Sequence, residues 1–145
     1  MNEHSQARIA CIGVGHHVYW PQFPDLRPAL LGHHATICDR IAAAGCTVID
    51  GGLIDDAASG EQAARRLRGS DADLVIIDML TYATSATLMP LLRECDRPLL
   101  MLALQPLRGL DYARATTRMQ LENDNVCSLP EFAGVALRVG RPIPP

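Results

Sequence analysis

The segment that decides the fold is DLVIIDML, Asp73–Leu80, an apolar run without the polar alternation of a strand that has one face in solvent. Strands of this kind are buried on both faces, as in parallel sheets that helices cover on both sides. Three other apolar segments of the chain predict strands, at Arg8–Val14, Cys46–Asp50 and Pro98–Leu104. The pair Gly51-Gly52 is expected to end the second of these strands.

Helical patterns alternate with these strands. The sequence predicts helices over 26–44, from Ser59 to Gly69, from Thr84 or Ser85 to Glu94, and from Ser128 or Pro130 to about Val139. Asp25 is placed to cap the first helix, and Ser59 opens a capping-box sequence. His33 falls on the apolar stripe of the first helix, which predicts a buried, hydrogen-bonded histidine.

The alternation of strand and helix predicts an α/β fold, a three-layer open parallel sheet in flavodoxin-like order with helices on both faces. We expect one domain over residues 8–140, after a disordered N-terminus at 1–7. The proline-rich residues 141–145 are expected to start an interdomain linker. In such a sheet, ligands bind beyond the carboxyl ends of the strands.

Composition restricts the partners and the compartment. A formal charge of −3 over 145 residues argues against nucleic acid and against an anionic membrane surface, since both select basic faces. The five cysteines form no CxxC pair, and none has a histidine or a basic residue beside it in sequence. They are expected to be buried structural thiols of a reducing compartment. Without an apolar signal segment at the N-terminus, the chain is expected to be cytoplasmic.

The segment GVGHHVYWPQFP, residues 13–24, resembles two known kinds of site without matching either. A dinucleotide fingerprint needs a helix at its second glycine, whereas Pro21 and Pro24 follow here. The pairs at 16–17 and 33–34 offer imidazoles for a metal, yet adjacent histidines in an extended loop point in opposite directions. No carboxylate stands at HExxH spacing. We therefore predict no catalytic residue and no metal ligand within this chain.

A neutral polar surface is the remaining interpretation of the strand ends. Histidine, tyrosine and glutamine side chains donate and accept hydrogen bonds without net charge, and aromatic faces stack on sugar C–H groups. The predicted substrate-binding residues are His16, His17, Tyr19, Tyr82 and Gln105. Such a lining suits a neutral sugar or polyol. The alternative is an exposed loop whose aromatic side chains, including Trp20, pack against a neighbouring domain.

Four segments together resemble the N-terminal domain of the L-arabinose isomerase and L-fucose isomerase superfamily. GHHVYWP (Gly15–Pro21) is similar to the loop after the first strand of that domain. LTYATSATLMPLL (80–92) resembles its threonine-aromatic segment, and DRPLLMLALQP (96–106) resembles the next strand with its glutamine. LENDNVCSLPEFAGVALRVGRP (121–142) resembles the close of the domain. The resemblance spans nearly the whole chain.

The resemblance implies one domain of an aldose–ketose isomerase that assembles as a trimer or hexamer; the 145-residue chain by itself would be inactive and could dimerise. It implies Mn²⁺ held by later domains, no cofactor within this chain, and sugar contacts from His16, Tyr82 and Gln105. His16 replaces the usual glutamine, Tyr82 the usual phenylalanine, and Cys127 a common histidine. Two alternatives stay open: a non-enzymatic sugar-binding or assembly module, and a stand-alone metal-dependent enzyme that uses the histidine pairs.

Overall fold

Four parallel strands form the centre of the structure, a computed structural model that describes residues 6–141 and residue 143. The sheet has the order β2-β1-β3-β4, with β1 at Arg8–Val14, β2 at Thr47–Ile54, β3 at Leu74–Met79 and β4 at Leu99–Leu102. All pairs are parallel. This is the predicted flavodoxin-like order. The central strands β1 and β3 are buried almost throughout, which explains why their sequences lack polar alternation.

Helices cover both faces of the sheet, as predicted. They are α1 (Leu26–Ala43), α2 (Ala57–Arg68), α3 (Ser85–Glu94), α4 (Thr117–Glu122) and α5 (Leu129–Arg138). The larger core lies under α2, α3 and α5, where Ile12 and Ile77 of the sheet meet Leu88 and Phe132 of the helices. On the other face, α1 packs on β1 and β2 and also contacts α4. The result is a three-layer α/β arrangement.

The second strand is longer than predicted, because the two glycines do not end it. β2 continues through Gly51 and Gly52 to Ile54, with a register shift opposite Cys11 and Ile12. A Cβ on Gly51 would lie 3.0 Å from the Cys11 carbonyl oxygen, and Gly52 has φ +75°. The glycines therefore form a β-bulge that carries the strand onward.

The second helix begins two residues before the predicted capping box. Its N-cap is Asp56, whose Oδ1 accepts from Ser59 N at 2.7 Å, while Asp56 N donates to Ser59 Oγ at 3.1 Å. The backbone N–H and the hydroxyl of Ser59 both donate to the Asp56 carboxylate, and these two hydrogen bonds hold the pKa of Asp56 below its ordinary value. Gly69 follows the helix at the predicted position. At the start of α1, Asp25 stands at the N-cap without the side-chain hydrogen bond that was expected.

The bounds of α3, β4 and α5 agree more closely with those predicted from the sequence. α3 and α5 lie within the predicted limits, Pro130 occupies the first turn of α5, and β4 ends at Leu102, two residues early. The predictions for residues 1–7 and 141–145 fall mostly outside the described residues, which include Gln6, Ala7, Arg141 and Ile143 from those segments. Among the described residues, no helix combines the length and the apolar character needed to cross a membrane.

Candidate functional site

The loop after β1 is held against the end of β2 by backbone hydrogen bonds. Gly15 N donates to Ile54 O at 2.9 Å, and His17 N donates to Asp55 O at 3.1 Å. A single turn of 3-10 helix then covers His17–Tyr19. The loop is therefore an ordered extension of the carboxyl edge of the sheet, where parallel α/β folds bind their ligands.

Trp20 packs inward and supports this loop. Its Nε1 donates to Asp55 Oδ2 at 2.7 Å, and its ring lies over Gly15, where an added Cβ would be 3.0 Å from the ring. The ring also joins the apolar cluster that includes Leu53 and Leu26. Trp20 therefore packs as the alternative prediction expected, but against residues of its own domain and not against a neighbouring domain.

Four of the five predicted site residues form one group, the His16 cluster, made of His16, His17, Tyr19 and Tyr82. The ring centroid of His16 lies 5.4 Å from that of His17, 5.4 Å from that of Tyr19 and 6.0 Å from that of Tyr82. All three contacts are edge-to-face, with interplanar angles between 77° and 86°. Because β1 and β3 are neighbours, the residues that follow them meet at one edge of the sheet.

The electrostatics of the cluster favour uncharged groups. Burial, together with the neighbouring His17, lowers the pKa of His16, so its imidazole is neutral at pH 7 and both donates and accepts hydrogen bonds. His16 Nδ1 is buried and has no hydrogen-bond partner among the described residues. His17 is exposed, and its Nδ1 lies 3.1 Å from Asp55 O, which makes it a donor there.

Gln105, the fifth predicted residue, does not join the His16 cluster. It is exposed, and its Nε2 donates to Asn123 O at 2.9 Å. Its side chain lines a groove of about 440 Å³ beside α1, which we call the α1 groove. The lining residues are His33, Thr36, Ile37, Arg40, Asp78, Leu80, Leu104, Gln105, Pro106 and Asn125. The structure therefore divides the predicted residues between two places.

Buried polar atoms lie at the base of the α1 groove. Asn125 is 3 % exposed, and its Nδ2 donates to Met79 O at 2.6 Å. Its Oδ1 has no hydrogen-bond partner among the described residues. Asp78, also 3 % exposed, stands beside it in the lining. A ligand with hydroxyl groups would satisfy the amide oxygen, so the α1 groove is a second polar surface near the carboxyl edge.

The buried histidine of α1 is His34, and the assignment of that role to His33 was wrong. His33 is partly exposed and pairs with Glu122 of α4 at 3.0 Å. His34 is 3 % exposed, and its Nδ1 lies 2.8 Å from Asp78 Oδ2. Burial acts to lower the pKa of His34, but the hydrogen bond and charge of Asp78, with Asp50, raise it above its ordinary value overall.

Two cysteines lie next to His34 in space, although no cysteine has a histidine beside it in sequence. The prediction of buried thiols holds for Cys11 and Cys95 and is wrong for Cys127, which is exposed. Cys38 Sγ is 3.7 Å from His34 Nε2, and Cys11 Sγ completes a group whose ligand atoms all lie within 4.8 Å of one another. We call Cys11, His34 and Cys38 the Cys–His–Cys group. Burial and the neighbouring Cys38 and Asp78 raise the pKa of Cys11, so its free thiol is protonated at neutral pH.

The spacing of His34 and Cys38 in the sequence indicates part of this group, although its three residues are not neighbours in the chain. His34 and Cys38 are four residues apart, a spacing that puts both side chains on one face of a helix. Cys11 and Asp78 stand at paired strands, and their side chains point to the α1 face. The group's two sulfur ligands are soft donors that do not suit manganese, which prefers carboxylate and carbonyl oxygens. We therefore assign no manganese-dependent step to these residues.

No protein-family model matches this chain, and no curated protein shows significant sequence similarity to it. The chain is an α/β domain in flavodoxin-like order, with an imidazole–tyrosine cluster at the carboxyl edge of its sheet and a cysteine–histidine group beneath α1.

Proposed function

We propose that this chain is a polyol-binding domain of an aldose–ketose isomerase-like protein, which contributes sugar contacts and subunit assembly and leaves the metal centre to other parts of the assembly. The observation that carries the proposal is the neutral imidazole of His16, packed between the rings of Tyr19 and Tyr82 at the carboxyl edge of the sheet. A neutral donor and acceptor flanked by phenol groups matches a hydroxylated, uncharged ligand.

The isomerase part of the proposal rests on the sequence resemblance. That resemblance pointed to His16 and Tyr82 as sugar-contacting positions, and their rings are neighbours in the structure. Replacement of the usual glutamine by His16 retains a side chain that both donates and accepts a hydrogen bond. A non-enzymatic sugar-binding module would use the same cluster, and the binding experiment below tests the property that both proposals share.

Binding can be measured by two-dimensional amide NMR of the 145-residue chain during titration with L-arabinose, L-fucose and L-arabinitol. One domain supplies only part of a pocket, so we expect a Kd on the order of 1 mM, equivalent to about −4 kcal/mol. Shifts are expected for residues 15–20 and 81–84, which surround the His16 cluster.

A matched pair of tyrosine variants gives the control. Tyr82→Phe should weaken polyol binding by about 1 kcal/mol, roughly fivefold, through the loss of one hydroxyl contact. Tyr112→Phe should leave binding unchanged, because Tyr112 is 90 % exposed on the loop between β4 and α4. The proposal fails if no polyol shifts the amide signals of the residues around the His16 cluster, or if all the shifted signals belong to residues around the α1 groove.

A further inference from the structure

We propose that the Cys–His–Cys group is a binding site for one zinc-like divalent cation on the α1 face of the sheet. This site is separate in chemistry from the polyol-binding surface, because its donors are sulfur and imidazole nitrogen. Thiolate and imidazole ligands select zinc over magnesium, calcium and manganese. The cation would join the central strand β1 to the helix that covers it.

The three donors converge because of the secondary structure that carries them. His34 and Cys38 are one helical turn apart, so both point from α1 toward the sheet. Cys11 lies in the middle of β1 and is fully buried against that helix. Each donor therefore comes from a rigid element, which favours a preformed metal site over a site on a mobile loop.

The separation of the Cys38 and His34 donor atoms is close to that in a tetrahedral zinc centre. Zinc–sulfur bonds of about 2.3 Å and zinc–nitrogen bonds of about 2.0 Å place the two donors about 3.5 Å apart in a tetrahedral site. Cys38 Sγ and His34 Nε2 are 3.7 Å apart. The remaining donor separations are all within 4.8 Å, so small rotations of the side chains would bring all three donors to one ion.

Asp78 orients His34 for coordination. Its Oδ2 lies 2.8 Å from His34 Nδ1. In the neutral imidazole that carries its proton on Nδ1, that proton is donated to the carboxylate, and the lone pair of Nε2 faces Cys38. Histidine ligands of zinc usually make this kind of hydrogen bond to a carboxylate, which fixes the tautomer and the ring plane. A buried histidine whose Nε2 lies beside the Cys38 thiol is thus arranged as a ligand.

Asp50 of β2 offers a fourth donor and a route to solvent. Its Oδ1 lies 3.6 Å from His34 Nε2, and its side chain is 70 % exposed. Gly52 N donates to the same Oδ1 at 2.8 Å and so orients it. Asp50 or a water molecule would complete the coordination. On binding, the Cys11 and Cys38 thiols each release a proton to solvent and become thiolates, and a charged His34 releases its Nε2 proton as well, so the ion is held without any change in oxidation state.

The experiment is a titration of the complete chain with Co²⁺ and then Zn²⁺, after treatment with a chelator and with a reductant that keeps all cysteines as thiols. We expect about one equivalent of Co²⁺ to bind, with sulfur-to-cobalt charge-transfer absorption and the intense visible bands of tetrahedral cobalt. Zn²⁺ should abolish both signals and raise the melting temperature, because it binds the folded state.

Variants distinguish metal binding by the Cys–His–Cys group from metal binding by other cysteines. Cys38→Ser removes one of the two thiolate ligands and should lower the charge-transfer intensity at least by half, and Asp78→Asn should weaken cobalt binding by about 10- to 100-fold while the tetrahedral spectrum persists. Cys46→Ser is the matched control, since Cys46 is half-buried in the same apolar cluster and lies outside the group. Circular dichroism establishes that each variant is folded before titration.

Any one of four results would overturn the proposal. One is a folded, reduced wild-type chain that binds no Co²⁺. Another is a folded Cys38→Ser variant that retains the full charge-transfer band. The third is equal loss of binding in Cys46→Ser. A Cys11–Cys38 disulfide in the untreated protein, with no metal uptake after its reduction, would make the pair a redox couple and reject the metal site.

Discussion

At the scale of single residues, the adjacent histidines of α1 have opposite environments. His33 faces α4 and makes a partly exposed hydrogen bond with Glu122, which also pairs with Arg118. His34 faces the sheet and shares a buried hydrogen bond with Asp78. A helix turns by about 100° per residue, so neighbours at the border of an apolar stripe readily fall on different sides of it.

We expect the two histidines to differ strongly in their contribution to stability. His34→Ala would leave the Asp78 carboxylate buried without its partner and should lower the free energy of unfolding by about 3 kcal/mol. His33→Ala removes only a partly exposed pair and should cost about 0.5 kcal/mol. Urea denaturation with a chelator present measures both values without any contribution from metal. Equal losses in the two variants would contradict the assigned environments.

At the scale of elements, local chemistry decides where α2 begins and how closely it packs on α3. The Asp56–Ser59 pair supplies two reciprocal hydrogen bonds at the first turn, so the helix begins before Ser59. Farther along, Gly60 is buried, and a Cβ placed on it would collide with the carbonyl oxygen of Thr87. The missing side chain allows the two helices to approach each other at this point.

Two alanine substitutions test this contact between helices. Gly60→Ala should destabilise the domain by about 1–3 kcal/mol, because the backbone of α3 must move to admit the methyl group. Gly32→Ala is the control, since Gly32 is exposed on α1 and an added Cβ meets no atom within 4 Å. That change should raise stability by about 0.5–1 kcal/mol through helix propensity. Thermal unfolding measures whether each substitution raises or lowers stability. A stabilised Gly60→Ala variant would refute the close approach of α2 and α3.

At the scale of the whole molecule, the sheet of the described residues has two edge strands, β2 and β4. β4 is the last strand in the order, so its outer backbone groups have no strand neighbour among the described residues. Leu104 and Leu107, which follow β4, are 52 % and 45 % exposed. Unpaired strand edges next to apolar side chains favour association with another chain.

We expect the chain to self-associate through the β4 edge, most simply as a dimer. Light scattering over a concentration series should show a mass that rises toward twice that of one chain. Leu104→Arg should shift the equilibrium toward monomer, whereas Leu137→Arg, on the exposed side of α5, should leave it unchanged. A constant monomeric mass at the highest concentration, or equal effects of both variants, would exclude association through β4.

The sequence by itself determined the fold class, because the local pattern of apolar residues indicates a buried parallel sheet. Apolar strands without alternation, helical stripes between them and Gly69 after α2 each follow from interactions between near neighbours in the chain. The same pattern located His16, His17, Tyr19 and Tyr82 at strand ends, and the order of the strands brings those ends together.

The tertiary structure alone decided the bulge in β2, the separation of Gln105 from the His16 cluster, and the meeting of Cys11 with His34 and Cys38. Gly51 and Gly52 resemble a strand terminus locally, and only their pairing with β1 shows that the strand continues. Cys11 is 23 residues from His34 along the chain, and no local pattern states which strand residue a helix residue will face. That pairing depends on how α1 is placed across the sheet, which is set by packing between distant segments.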